Sequence, residues 1–194
     1  MVRAGGDPAD GARVVACAAM PARRRGSDDD RPAFDPIAEA RRQWIEHGWP
    51  DAAEGMSVVT SVMRVQQLLL ARIDVALAPF DLTFARYEIL QLLRFTRSGA
   101  LPLGKIGSRL QVHPTSASSA VDRLERQGYV RRSPHPTDGR TTLIELLAAG
   151  EDVATQATEV LNDAVFGAVG LSPSQTRDLL GLLEAFRRQA GDLA

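Results

Sequence analysis

LGKIGSRLQVHPTSASSAVDRLERQGYVRRSPHPTDGRTTLIEL, residues 103–146, is the stretch whose reading decides the fold. Leu103, Ile106 and Leu110 recur at helical spacing, which predicts a short helix with one apolar face over 103–110. Gln111, Val112 and His113 form a tight link, and Pro114 suits the first position of a second helix, where its missing N–H has no partner to lose. Ala117, Ala120, Val121 and Leu124 share one face of that helix. Thr115, Ser116, Ser118, Ser119, Asp122, Arg123 and Arg126 share the other. Small hydroxyls followed by arginines can approach a DNA major groove closely. Gly128 stands where a helix C-terminus favours glycine.

Beyond Gly128 the pattern changes period. Tyr129–Arg132 reads as one strand, 134–139 is dense in turn residues, and Thr142, Ile144 and Leu146 alternate as a second strand. The hairpin carries Arg131, Arg132, His135, Asp138 and Arg140, a basic tip suited to the negative potential of a narrow minor groove. From Pro102 to Thr142 there are seven Lys/Arg and three Asp/Glu, a net of +4 in a chain of net charge −1, so the remainder carries −5. That segregation favours a nucleic-acid surface over an ordinary solvated face. The rival reading is a winged helix that binds protein and not DNA; its outer surface would be apolar or acidic, whereas this one is hydroxyl and arginine.

The run from Gly104 to Gly150, with Asp122-Arg123-Leu124-Glu125-x-x-Gly128-Tyr129-Val130-x-Arg132 and then Asp138-x-Arg140, closely resembles the multiple-antibiotic-resistance regulator (MarR) family. The resemblance extends in helix order from about Trp44 to Phe186. It implies a dimeric winged-helix transcription factor of mainly α class, with long dimerisation helices and a small β-hairpin wing. Two departures stand out. Gly139 replaces an arginine usual at the wing tip, and Leu147 stands where relatives often cap the next helix with threonine.

Flanking segments fit that plan. Residues 1–36 read as an unstructured tail, with Arg23–Arg25 beside Asp28–Asp30. Residues 37–78 read as N-terminal dimerisation helices, 79–147 as the DNA-binding lobe and 148–194 as C-terminal dimerisation helices. Within the first pair, Ile37–His47 is a helix ended by Gly48-Trp49-Pro50, and a long helix runs from about Met56 to Ala78 on the stripe Val58, Val62, Val65, Leu69, Ile73, Ala76. Thr83 is the expected N-cap of the next helix, which would bury Ile89, Leu90 and Leu93. After the wing, 149–166 is expected to bury Val153, Ala157, Val160 and Ala164. Ser172-Pro173-Ser174-Gln175 opens a last helix as a capping box, with Leu179, Leu183, Phe186 and Ala190 at core spacing. Helices of this kind at both ends carry more apolar surface than one small chain can bury, which predicts a homodimer. A palindromic double-stranded DNA operator asks for the same symmetry.

In the family an N-terminal helix roofs a ligand cavity, and a tryptophan-bearing helix resembles the branch that responds to urate and related metabolites. By that resemblance Trp44, Arg86 and His113 are ligand-binding candidates for a small anionic or aromatic metabolite released against DNA binding. Each has a plainer alternative: Trp44 packing a dimer core, Arg86 in a surface ion pair with Glu88 or a neighbour, His113 bonding backbone or meeting DNA. The function expected is a transcription regulator, a repressor released by ligand, with no cofactor. Enzyme chemistry lacks its residues: the three histidines form no metal-spaced set with Cys17, and no nucleophile elbow, phosphate loop or dinucleotide fingerprint occurs. A single cysteine excludes an intrachain disulfide framework and fits the cytoplasm. No apolar run reaches the length that spans a membrane.

Overall fold

The structure, a computed structural model, describes residues 34–193 apart from 136 and 139. The reading of residues 1–33 as a tail lies outside the described residues.

The described residues divide into two compact units between Ser57 and Val58. In the first, α1 (Pro36–Glu46) is capped by Asp35, whose carboxylate accepts the Ile37 N–H at 2.9 Å. It ends at Gly48, with φ +90°: Trp49 N donates to Trp44 O and Gly48 N to Ile45 O, the paired closure that a left-handed residue permits. That turn brings the Trp44 and Trp49 rings to 5.4 Å, tilted by 59°. The long helix α2 (Pro50–Leu77) starts six residues earlier than Met56, because Pro50 is itself a favourable first helical residue and not only a terminator.

The second unit holds the rest. After a 3₁₀ turn (Ala78–Phe80) come α3 (Phe84–Arg94), β1 (Ala100–Pro102), α4 (Leu103–Leu110), α5 (Pro114–Arg126), β2 (Val130–Pro134), β3 (Thr142–Leu146), α6 (Ala148–Leu161) with a π turn (Asn162–Phe166), and α7 (Pro173–Gln189). The wing has three strands and not two. The sheet order is β1-β3-β2, all antiparallel, with Leu101 opposite Ile144 and Arg132 opposite Ile144 from the other side. Leu77, Leu82, Leu90, Leu93, Ile106, Val121, Leu124, Val130, Ile144 and Leu161 close one core between α3, the α4–α5 pair, the sheet and α6. Each such side chain contributes about 1.5–3 kcal/mol on burial.

Thr83 and Ser172 cap as expected: Thr83 Oγ1 accepts the Arg86 N–H, and Ser172 and Gln175 exchange side-chain-to-backbone bonds as a full capping box. The buried face of α6 differs from the expectation. Gly150, Ala154, Ala157 and Leu161 are inside, while Val160 and Ala164 face out. The register follows from close approach, since Leu147 N donates to Tyr129 O and a Cβ on Gly150 would fall against that same carbonyl oxygen. In the single protomer α7 buries none of its residues, and Val58, Val62 and Val65 of α2 are about half exposed. Among the described residues no helix is long and apolar enough to cross a membrane.

Candidate nucleic-acid interface

The reading head starts at a corner. Gln111 caps α4 in the left-handed region at φ +53°, Val112 N donates to Gly107 O, and His113 begins α5 by accepting the Thr115 N–H on its Nδ1 at 3.2 Å. His113 therefore serves as a helix cap. Ala117, Val121 and Leu124 anchor α5 to the core. Thr115, Ser119, Asp122 and Arg126, at helical spacing, run down the middle of the outward face, all exposed. Ser116 and Arg123 lie on the flank toward α3, and Ser118 is half-buried on the flank toward the wing.

Both flanks are braced by ion pairs. On the α3 side Asp81 accepts from Arg123 Nη2 at 3.1 Å and from Gln127 Nε2 at 3.0 Å. Arg86 joins this clasp: Nη1 donates to Gln127 Oε1 at 3.1 Å and Nε to Thr83 Oγ1 at 3.3 Å. Of the ion-pair partners expected for it, the neighbour found is Asp81, at 4.0 Å, and not Glu88, whose carboxyl burial raises above its ordinary pKa. On the wing side Arg132 Nη2 donates to Asp122 at 2.5 Å, Nη1 to Glu125, and the Arg132 backbone N–H to Glu125 at 2.9 Å. Burial lowers and these two carboxylates raise the Arg132 pKa, with a net rise that keeps it charged. Arg131 pairs with Glu145 at 2.7 Å, and the bond from Ser133, then that from Arg131, holds the Glu145 carboxyl below its usual range.

At the wing tip Asp138 organises the turn. Its Oδ2 accepts from Thr141 Oγ1 at 2.7 Å and its Oδ1 from the Arg140 N–H at 3.1 Å, which together depress its pKa. His135 Nδ1 accepts the Thr137 N–H at 3.3 Å. The Arg140 side chain extends with no carboxylate partner among the described residues. It lines, with Lys105, Ser108 and Thr141, a groove of about 780 Å³ between α4 and the wing. A second, more open groove of about 630 Å³ joins Thr83 and Arg86 to Thr115, Ser116, Ser119, Arg123 and Arg126. Lys105, the sole lysine of the sequence, was not among the expected site residues; it is exposed on α4 beside buried Ile106.

Of the three ligand candidates, Arg86 sits in the α3–α5 clasp and lines the second groove, His113 caps α5 at the α4–α5 corner, and Trp44 belongs to the N-terminal unit. Among the described residues no cluster of His, Cys, Asp or Glu could hold a metal.

The MarR family profile matches residues 82–142, which runs from the end of the Asp81 corner to the start of β3. A solved MarR family transcriptional regulator of Streptomyces coelicolor, Sco5413, is 43% identical, covering 72% of this chain and 97% of its own, at a TM-score of 0.67. This chain belongs to the MarR family. A second MarR regulator of that organism, Sco3205, solved in complex with DNA, is 25% identical over 71% of this chain and 88% of its own, at a TM-score of 0.62. The HTH-type transcriptional regulator PecS of Dickeya dadantii is 28% identical over 126 residues, 63% of this chain and 75% of its own. The MarR assignment makes the chain a winged-helix transcription regulator and not an enzyme.

Proposed function

We propose that the chain is a homodimeric repressor that binds a palindromic operator in the cytoplasm and releases it when a small anionic or aromatic metabolite binds. The observation that carries DNA recognition is the outward face of α5: small hydroxyls and Arg126 at its centre, Asp122 among them paired to Arg132, no large apolar side chain, and Arg140 of the wing tip, unpaired among the described residues. Such a face has no hydrophobic centre for a protein partner, which disfavours the protein-binding alternative. Thr115, Ser119 and Arg126 are placed for base edges, with Ser116 and Ser118 flanking. Arg123, paired to Asp81 at the α3 edge, is assigned to phosphate, where it would add affinity without sequence preference. Arg140 is assigned to the minor groove and Lys105 to the adjoining strand. Arg131, Arg132, His135 and Asp138 shape the wing, their side chains already engaged within the chain.

Two apolar faces support the dimer: Val58, Val62, Val65 on α2, and Leu179, Leu183, Phe186 on α7, left open by the single protomer. By this reading residues 37–78 and 148–194 hold the dimer and 79–147 reads DNA. Regulation enters at Arg86. An anion reaching its guanidinium would compete with Gln127 and so loosen the clasp that fixes the last turn of α5. A ligand acts this way only if its affinity differs between the two arrangements.

Fluorescence anisotropy on the gene's own upstream DNA across a salt series tests the core of this. Arg126→Ala and Arg140→Ala should weaken binding, and the loss of one phosphate contact should flatten the log–log slope by about 0.9. Unchanged affinity for both variants would overturn the assignment.

A further inference from the structure

The chain beyond α7 returns to the reading head. Gly191, at φ +75°, ends α7 by the same paired closure seen at Gly48: Asp192 N donates to Arg187 O at 2.9 Å and Gly191 N to Arg188 O at 3.0 Å. That closure fixes where the next side chain points. The Asp192 carboxylate accepts from Arg187 Nε at 2.5 Å with one oxygen and from Gln111 Nε2 with the other, across 81 residues of sequence.

Gln111 is no ordinary partner. It occupies the left-handed corner between α4 and α5 at φ +53°, a conformation that crowds the Cβ of any residue but glycine. Recognition helix α5 begins three residues later, and backbone bonds tie the corner together: the N–H groups of Gln111 and Val112 both donate to Gly107 O, and Ala117 N donates to His113 O at 3.1 Å. A shift of Gln111 is therefore passed to the first turn of α5, where Thr115 lies.

We propose that Asp192 is a positioning residue for DNA recognition, its carboxylate clamping Gln111 so that the end of α7 sets the orientation of α5. The helix that carries the open apolar face is thereby joined to the reading head of the same chain by one side-chain bond. The bonds from Arg187 and then Gln111 hold the Asp192 carboxyl below its usual pKa, so the clamp persists at neutral pH. The proposal rests on the DNA-binding reading above.

Its test uses the full chain and four variants: Asp192→Ala, Asp192→Asn, Gln111→Ala and the Ala/Ala double. Hydrogen exchange across residues 108–114 and affinity for the upstream duplex are both measured. Asp192→Ala should speed exchange at the corner and weaken DNA binding, each roughly fivefold, as one lost hydrogen bond allows. Asp192→Asn should stay within about twofold of the wild type, since its amide oxygen still accepts from Gln111. The double variant should be no worse than the worse single one. Equal behaviour of Asn and Ala would assign the effect to charge and overturn the clamp, as would multiplying losses in the double variant or unchanged exchange. A wild-type chain that binds no duplex would refute the DNA-binding reading instead, and corner exchange would still decide whether the clamp holds.

Discussion

Replacing Arg132 by alanine should destabilise the fold without removing a DNA contact. Its guanidinium bridges Asp122 and Glu125 on α5, while its backbone N–H holds the second Glu125 oxygen, so one residue fastens the recognition helix to β2. Hydrogen bonds to charged groups are worth about 1.5–3 kcal/mol each when sheltered. The Arg132 side chain is 28% exposed and its partners 53% and 37%, so solvent screening cuts that sum to about 2 kcal/mol. For a chain of this size about 2 kcal/mol lowers Tm by roughly 4–8 °C. Arg132→Lys should recover only part of it, because an ammonium cannot fork between two carboxylates. Thermal unfolding by circular dichroism reads the loss, and a parallel salt series on DNA should keep its slope. A slope flattened by about 0.9, with Tm unmoved, would refute the reasoning and return Arg132 to the phosphate backbone.

Gly150→Ala should be far more disruptive than a surface glycine change, by more than about 2 kcal/mol, because the new methyl would meet the Tyr129 carbonyl and Leu146 Cδ1; a normal melting curve would contradict this. Gln91 is buried, its Nε2 bonded to Tyr87 Oη and Thr158, but its Oε1 has no partner among the described residues. Gln91→Leu should accordingly unfold within about 1 kcal/mol of the wild type or above it, and a loss beyond about 2 kcal/mol would show that the amide is better satisfied than its contacts indicate. Asp138, Glu145 and Asp192 all have depressed pKa values, so their stabilising contribution is fully present above their unfolded values of 3.8, 4.5 and 3.8 and is lost as pH falls below them. Chemical unfolding should show a decline confined to pH below about 4.5; a decline centred near pH 6 would point to histidine instead. Removing 172–194 should abolish dimerisation in sedimentation while the rest keeps its helical signal, since α7 buries nothing in its own protomer.

Much of the DNA-binding lobe was legible because its signals are local. The α4 periodicity, Pro114 at the start of α5, Gly128 at its end and the Ser172–Gln175 box all rest on neighbours a few residues apart. What stayed hidden depends on distant partners. Ala100-Leu101-Pro102 has no strand pattern, and it is a strand only because β3, over forty residues on, offers its free edge. In α6 Ala157 is inside and Val153 packs against the core as expected, but Val160 and Ala164 face out; the observed face is completed by small residues, with Gly150 passing Tyr129 and Ala154 entering the core. The spacing of Asp122 and Glu125 was visible on α5, but that both turn to Arg132 requires the helix-to-strand corner. Likewise an ion pair was an expected alternative for Arg86, but that Asp81 serves both Arg86 and Arg123 depends on the turn before α3 meeting the end of α5. The apolar stripes on α2 and α7 were visible too, and the single protomer leaves them exposed, as their excess over what one chain can bury predicts.

The most direct test of the central claim is footprinting of the purified chain on the DNA upstream of its own gene. The account predicts protection of two symmetry-related half-sites about one helical turn apart, with hydroxyl-radical protection extending into the minor groove where Arg140 reaches. Protection lost in Arg126→Ala while Arg132→Ala retains the same pattern would match the assigned roles. An unprotected ladder at concentrations far above those at which a specific operator saturates, or uniform protection without half-sites, would contradict it.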